Sequence, residues 1–123
     1  MNQENLSAFI AGYVEALLWS SVVEQDGETV NADQFELTTQ AADTCRADCL
    51  AFCNANGAFL ARALGVYGAA QAGHDFALTR NGHGAGFWDR DELPQDVRDH
   101  LTEAARAAGE ANVWLNDAGE LEL

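Results

Sequence analysis

The sequence predicts an α+β fold: N-terminal helices packed on a small antiparallel sheet, with one helix between its hairpins. Three observations carry that prediction. Apolar residues recur at helical spacing through the first half of the chain. Two turn signals, Asn81-Gly82 and Asn116-Asp117-Ala118-Gly119, each stand between short runs of strand character. Between them, a segment opening at Pro94 has apolar residues on one side and acids on the other. With 123 residues and 48% hydrophobic content, the chain has the size of one domain and enough apolar matter for a core. It is read as a single domain over residues 1–123, with a helical half at 1–66 and a hairpin-helix-hairpin half at 73–123.

Asn5 to Glu24 is expected to be the first helix. Leu6, Phe9, Ile10, Tyr13 and Leu17 form one stripe, widened by Val14, Leu18, Val22 and Val23, with Asn5 or Ser7 as cap. Gln25 to Gln34 reads as a polar loop. A second helix runs from Thr38 or Thr39 to about Asn56, where Asn54, Asn56 and Gly57 break or kink it. Helix resumes through GAFLARALG and stops at Gly65. Val66 to Ala72 reads as a turn or a single helical turn. Phe76 to Arg80 alternates like a short strand, Asn81 to Gly86 is the hairpin tip, and Phe87-Trp88 is the return strand. Asp89 or Asp91 caps the next helix, Pro94 lies in its first turn, and Val97, Leu101, Ala104, Ala105 and Ala108 make its buried face. Gly109 ends it. Val113-Trp114-Leu115 and Glu120 to Leu123 are the last two strands.

Twenty acids against six bases, all six of them arginine, give a formal net charge of −14. Hydrophobic content is too high for an acidic disordered chain. Such a charge repels nucleic acid and anionic membranes and favours basic surfaces on other proteins. General solubility and adaptation to high salt explain the same composition. No stretch approaches the ~20 apolar residues of a membrane span, and the N-terminus lacks a signal-peptide pattern. Three cysteines make an odd number, against a secreted disulfide framework. The expected compartment is the cytoplasm.

Within that charge, one pattern is regular. Glu92, Asp96, Asp99 and Glu103 follow spacings of four, three and four, with Glu110 in phase beyond them. On a helix they fall within about 60° of arc, about 4.5 to 6 Å apart along the axis, near the spacing of phosphates along a strand. A second group lies at Asp26, Glu28, Asp33 and Glu36. The plain reading of either group is a solvated face.

Cys45, Cys49 and Cys53 share one helix face. Spread along roughly 12 Å of helix, they cannot converge on one ion, and a fourth ligand would have to come from His74, His83 or His100. Core packing is the expectation, with no metal and no cofactor. Gly73 to Arg90, GHDFALTRNGHGAGFWDR, is the stretch richest in chemically able side chains. Arg80, Asn81, His83, Trp88 and Asp89 gather near its expected hairpin tip and form an alternative surface for a ligand, a partner or an enzymatic site. His74-Asp75 and His83 are acid–base candidates and Arg80 an anion clamp. Yet no nucleophile stands beside a base, and GHGAGF lacks the Lys-Ser/Thr of a phosphate loop. The chain is therefore read as a binding protein and not an enzyme. The plain reading of the stretch is a tight turn whose glycines supply special backbone angles.

This same stretch, with the following helix and the terminal hairpin at Asp117-Ala118-Gly119, resembles a family of small acidic proteins common in tailed phages and prophages. The likeness covers about the C-terminal half and an early YVEALLW segment. Ala77 departs from the large aromatic found there in that family. The resemblance implies an accessory protein of anti-defence type, similar to anti-restriction and anti-CRISPR inhibitors. The expectation is then an acidic nucleic-acid mimic that blocks the basic DNA- or RNA-binding surface of a host CRISPR-Cas protein. Glu92, Asp96, Asp99 and Glu103 would be its main contacts, and the Asp26 to Glu36 segment its second patch. A phage accessory protein binding through exposed aromatics is the rival reading.

Overall fold

A computed structural model describes all residues from Met1 to Leu123. In chain order the elements are α1 (Gln3–Trp19), β1 (Val22–Gln25), β2 (Glu28–Asn31), α2 (Thr39–Ala55), α3 (Gly57–Leu64), α4 (Ala69–Arg80), α5 (Gln95–Ala107), β3 (Trp114–Leu115) and β4 (Leu121–Glu122), with short 3₁₀ turns at Ala32–Gln34 and Phe87–Asp89. The α+β class predicted from sequence is the observed one. The strands form two separate antiparallel pairs, β1–β2 and β3–β4, and all the helices from α2 to α5 lie between them in sequence.

Helices α1 and α4 are the central pair. They approach so closely that a Cβ at Gly12 would overlap the Ala70 carbonyl, and one at Gly73 would overlap the Phe9 carbonyl. Two glycines on facing surfaces thus set the interhelical distance. Around this contact the aromatic core assembles: Phe52 stacks on Phe76 with ring centroids 4.0 Å apart, Tyr13 lies 5.2 Å from Phe76, and Phe87 lies 6.0 Å from Phe52. Cys45, Cys49 and Cys53 are free thiols buried on the inner face of α2, as core packing requires. Burial pushes the Cys45 and Cys53 thiols up to about 11, and Cys49 higher still.

Several expected elements are confirmed. Thr38 caps α2 through its side chain, with Ala41 N donating at 3.1 Å. Asn56 separates α2 from α3; its Nδ2 donates to Phe52 O at 2.9 Å, and its Oδ1 meets His100 Nε2 at 2.8 Å. Gly109, at φ +77°, takes the left-handed position just past α5. The terminal hairpin forms with Trp114 opposite Glu122.

Four expectations are corrected, one of them the cap of α5: Pro94 itself precedes the helix, and neither Asp89 nor Asp91 bonds to its first-turn amides. The first helix ends at Trp19; its cap is Asn2, and Val22 and Val23 belong to a strand. The expected polar loop is the β1–β2 hairpin, turned by Asp26 and Gly27 at φ 52° and 82°. Phe76 to Arg80 is not a strand but the end of α4, and Phe87-Trp88 is a 3₁₀ turn, so no hairpin exists between them. The reason lies in burial. Asp75 through Arg80 are all buried, whichever way they point, so this segment shows no helical polarity in its sequence.

Candidate functional site

The acidic row on α5 is partly dismantled by a neighbour. Glu92, Asp96, Asp99 and Glu103 are all exposed, opposite the buried Val97, Leu101 and Ala105. Glu92, however, lies in the turn before the helix. Asp96 is gripped by Arg62 of α3 at 2.7 and 3.0 Å, a fork that holds its carboxyl below the usual carboxylate range. Asp99 accepts from Gln95 Nε2 at 2.7 Å, and Arg98 reaches Asp91 at 3.5 Å. Two arginines therefore stand among the carboxylates, and the row is discontinuous in charge.

The second acidic group is different. Asp26 and Glu28 flank the β1–β2 turn, Asp33 sits in the 3₁₀ turn after β2, and Glu36 follows; all four are exposed and none has an ion-pair partner. Leu121 N donates to Glu36 O at 2.8 Å, which draws β4, with Glu120 before it and Glu122 within it, alongside. Across the whole chain the acids in ion pairs are Asp48, Asp75, Asp89, Asp91 and Asp96; the other fifteen of twenty carry none. Only Arg46 and Arg106 among the six arginines remain outside such pairs.

The surface expected from Arg80, Asn81, His83, Trp88 and Asp89 does not assemble. Arg80 is buried. Its guanidinium donates to Tyr13 Oη at 2.9 Å, Asp48 Oδ2 at 2.8 Å, Gly109 O at 2.7 Å and Ala108 O at 3.0 Å. It thereby ties α4 to α1, α2 and the carbonyl-rich C-terminus of α5, where a cation is favoured. Asn81 exchanges two hydrogen bonds with the Ala111 backbone, at 2.7 and 3.1 Å. Asp89 accepts from Gly86 N at 3.2 Å and thereby braces the turn. Of the five, only His83 and Trp88 project into solvent without a bonded partner.

The residues that sequence reasoning missed are Asp75's partners. Its carboxylate, fully buried, accepts from Arg90 Nε at 2.9 Å and Nη2 at 2.7 Å, from Tyr67 Oη at 3.2 Å and from Gln71 Nε2 at 3.2 Å. Nothing in the spacing of fifteen residues between Asp75 and Arg90 signals that fork. So the motif from Gly73 to Arg90 is largely a scaffold. Gly73 admits α1, Thr79 accepts from Phe87 N at 3.1 Å, and Asp75, Arg80, Asn81 and Arg90 are internal ties. The catalytic candidates His74 and Asp75 are not a dyad in solvent, because Asp75 is sealed by Arg90.

What remains open is a furrow. All three tryptophans are substantially exposed: Trp19 59%, Trp88 44% and Trp114 53%. Trp19 leans on His74, ring centroids 6.2 Å apart, at a hollow of about 410 Å³ that His83 and Arg90 also line. A second hollow of about 240 Å³ shares His83 and leads to Val22 and Val113. A third, about 260 Å³, lies between β1 and β3 under Trp114. No helix is long and apolar enough to cross a membrane. Comparison of the chain with protein-family models, with curated proteins and with solved structures finds no match.

Proposed function

We propose that this chain is an acidic inhibitor that occupies the basic, nucleic-acid-binding surface of another protein, as a phage or mobile-element anti-defence factor acting on a CRISPR-Cas effector. One observation carries the reading: fifteen acids stand without an ion-pair partner, while four of the six arginines are spent on internal ties. Such a surface is drawn to basic grooves and competes with polyanions for them. The assignment of the target to host defence rests on the resemblance of the Gly73 to Arg90 motif to small acidic phage proteins.

The contact surface differs in emphasis from the one the sequence suggests. The Asp26, Glu28, Asp33 and Glu36 group, with Glu120 and Glu122 alongside, becomes the primary contact, and Glu92, Asp99 and Glu103 the secondary one. Asp96 contributes least, since Arg62 already neutralises it. The mechanism is stoichiometric occlusion and needs no catalytic group or cofactor. The test is DNA cleavage by the host effector complex, titrated with this protein. Inhibition should complete near equimolar ratio and be lost when Asp26, Glu28, Asp33 and Glu36 are changed to their amides. Undiminished inhibition by that variant contradicts the reading.

A further inference from the structure

The structure assigns the hollow beside the C-terminal ends of α1 and α4 as a binding site for a small planar acid, an aromatic ring carrying one carboxylate or phosphate. This goes beyond the inhibitor reading above and does not rest on it.

The first argument is the polarity of the lining. In a chain of net charge −14, this hollow of about 410 Å³ is lined by Arg90, His74 and His83 and by no acid. Neighbouring hollows differ: Asp48, Glu110 and Glu24 each line one of them. Arg90 gives its Nε and Nη2 to Asp75, at 2.9 and 2.7 Å, which leaves Nη1 for an incoming oxyanion. Each imidazole supplies at least one N–H donor in either protonation state. Of the three histidines, only His100 is hydrogen-bonded within the protein, to Asn56 Oδ1 at 2.8 Å. Asp75 and Asp89 offset part of the Arg90 charge, so the imidazoles and the Trp19 ring carry the selectivity.

The second argument is the aromatic wall. Trp19 is 59% exposed, and its ring and that of His74 are tilted 34° to each other. Leu78 adds buried apolar surface to the same lining. An exposed indole beside these donors favours a ligand with both a flat ring and an oxyanion. Stacking and charge-assisted bonds then act on different parts of one molecule.

The third argument is that the scaffold fixes the lining in advance. Trp19 ends α1, which is held against α4 by the close contacts at Gly12 and Gly73. Arg90 is forked onto Asp75. His83 follows Gly82, at φ 71°, and its main-chain N–H donates to Leu78 O at 3.0 Å. A site already in place costs little ordering on binding. Charge then decides the size of the occupant. A polyanion or an acidic protein is repelled by the whole surface. A ligand with one acidic group feels mainly charges within a Debye length, ~8 Å at physiological salt, and the lining it touches is basic.

The probes are indole-3-acetate and adenosine 5′-monophosphate, which join a flat ring to a carboxylate and to a phosphate. Each is titrated into ¹⁵N-labelled protein beside its neutral counterpart, indole-3-acetamide or adenosine. At least one acid should give saturable shifts at the Trp19 indole N–H and at the amides of Gly84 and Ala85, which also line the hollow. Which acid binds tells a carboxylate ligand from a phosphate one. The neutral counterpart should bind about tenfold more weakly, since it lacks the oxyanion. Arg90 is left intact because it secures Asp75. Trp19→Leu, and separately His74→Ala with His83→Ala, should each weaken binding about tenfold with far-UV circular dichroism unchanged. Four outcomes overturn the proposal: no saturable binding of either acid up to about 5 mM; equal binding of acid and neutral counterpart; shifts centred elsewhere on the protein; or folded Trp19 and histidine variants that bind as the wild type does.

Discussion

Replacing Asp75 by alanine removes a carboxylate that accepts four hydrogen bonds, two of them from the Arg90 guanidinium. Hydrogen bonds to a charged group contribute about 1.5–3 kcal/mol each. Their gross sum is offset by no longer burying a carboxylate, and Arg90, 27% exposed at its side chain, recovers some hydration. Breaking one side of a buried pair costs about 3–5 kcal/mol, and the partial exposure of Arg90 argues for the lower end, ~3 kcal/mol. Unfolding entropy of about 2.1 cal/mol/K per residue gives about 0.26 kcal/mol/K for this chain, so Tm should drop by roughly 12 °C. Thermal and urea unfolding of the wild type, Asp75→Ala, Arg90→Met and the double variant provide the assay. The double variant should be less destabilised than the sum of the singles, by more than about 1 kcal/mol. A Tm drop under about 3 °C for Asp75→Ala, or strict additivity, refutes the assignment of this motif as an internal tie.

Gly73→Ala and Gly12→Ala should each destabilise by more than about 3 kcal/mol, because the new methyl meets backbone of the facing helix and α1 and α4 must part; urea midpoints check this. Cys45 and Cys53, whose protonated forms burial favours, contribute stability that is complete below about pH 9 and is lost as pH rises towards about 11. Cys45→Ala with Cys53→Ala should flatten that alkaline limb in a stability-versus-pH series, and native protein should react with a thiol reagent at pH 8 only on unfolding. Arg62→Ala frees the Asp96 carboxylate and should leave effector inhibition unchanged or improve it, whereas the fourfold amide variant at Asp26, Glu28, Asp33 and Glu36 should weaken it at least tenfold.

The parts of this fold legible in the sequence were those where local chemistry and tertiary packing agree. Thr38, Asn56 and Gly109 act as caps and breaks because their side chains or backbone angles decide the local hydrogen bonding. The terminal hairpin and the α5 amphipathicity were equally plain. Helix α4 was hidden because its burial is nearly complete, and Gly73, which lowers helix propensity, is there for the close approach of α1. The β1–β2 hairpin was passed over although Asp26-Gly27 is a hairpin turn, since only Val23 and Val30 give its strands an apolar face. At the site, the positions of the acids were legible and their partners were not. Arg62 and Asp96 are 34 residues apart, and Arg80 meets Asp48 across 32. Sequence spacing on one helix carries no information about an arginine arriving from another, so the α5 row looked more continuous than it is.

The central proposal is that unpaired carboxylates compete with nucleic acid for a basic surface. The most direct measurement is inhibition of effector DNA binding by the wild-type protein as a function of salt. Competitive displacement of DNA is expected, with an affinity for the effector that falls about tenfold or more between roughly 50 and 200 mM salt. Binding that leaves DNA in place, or an affinity flat across that range, contradicts it.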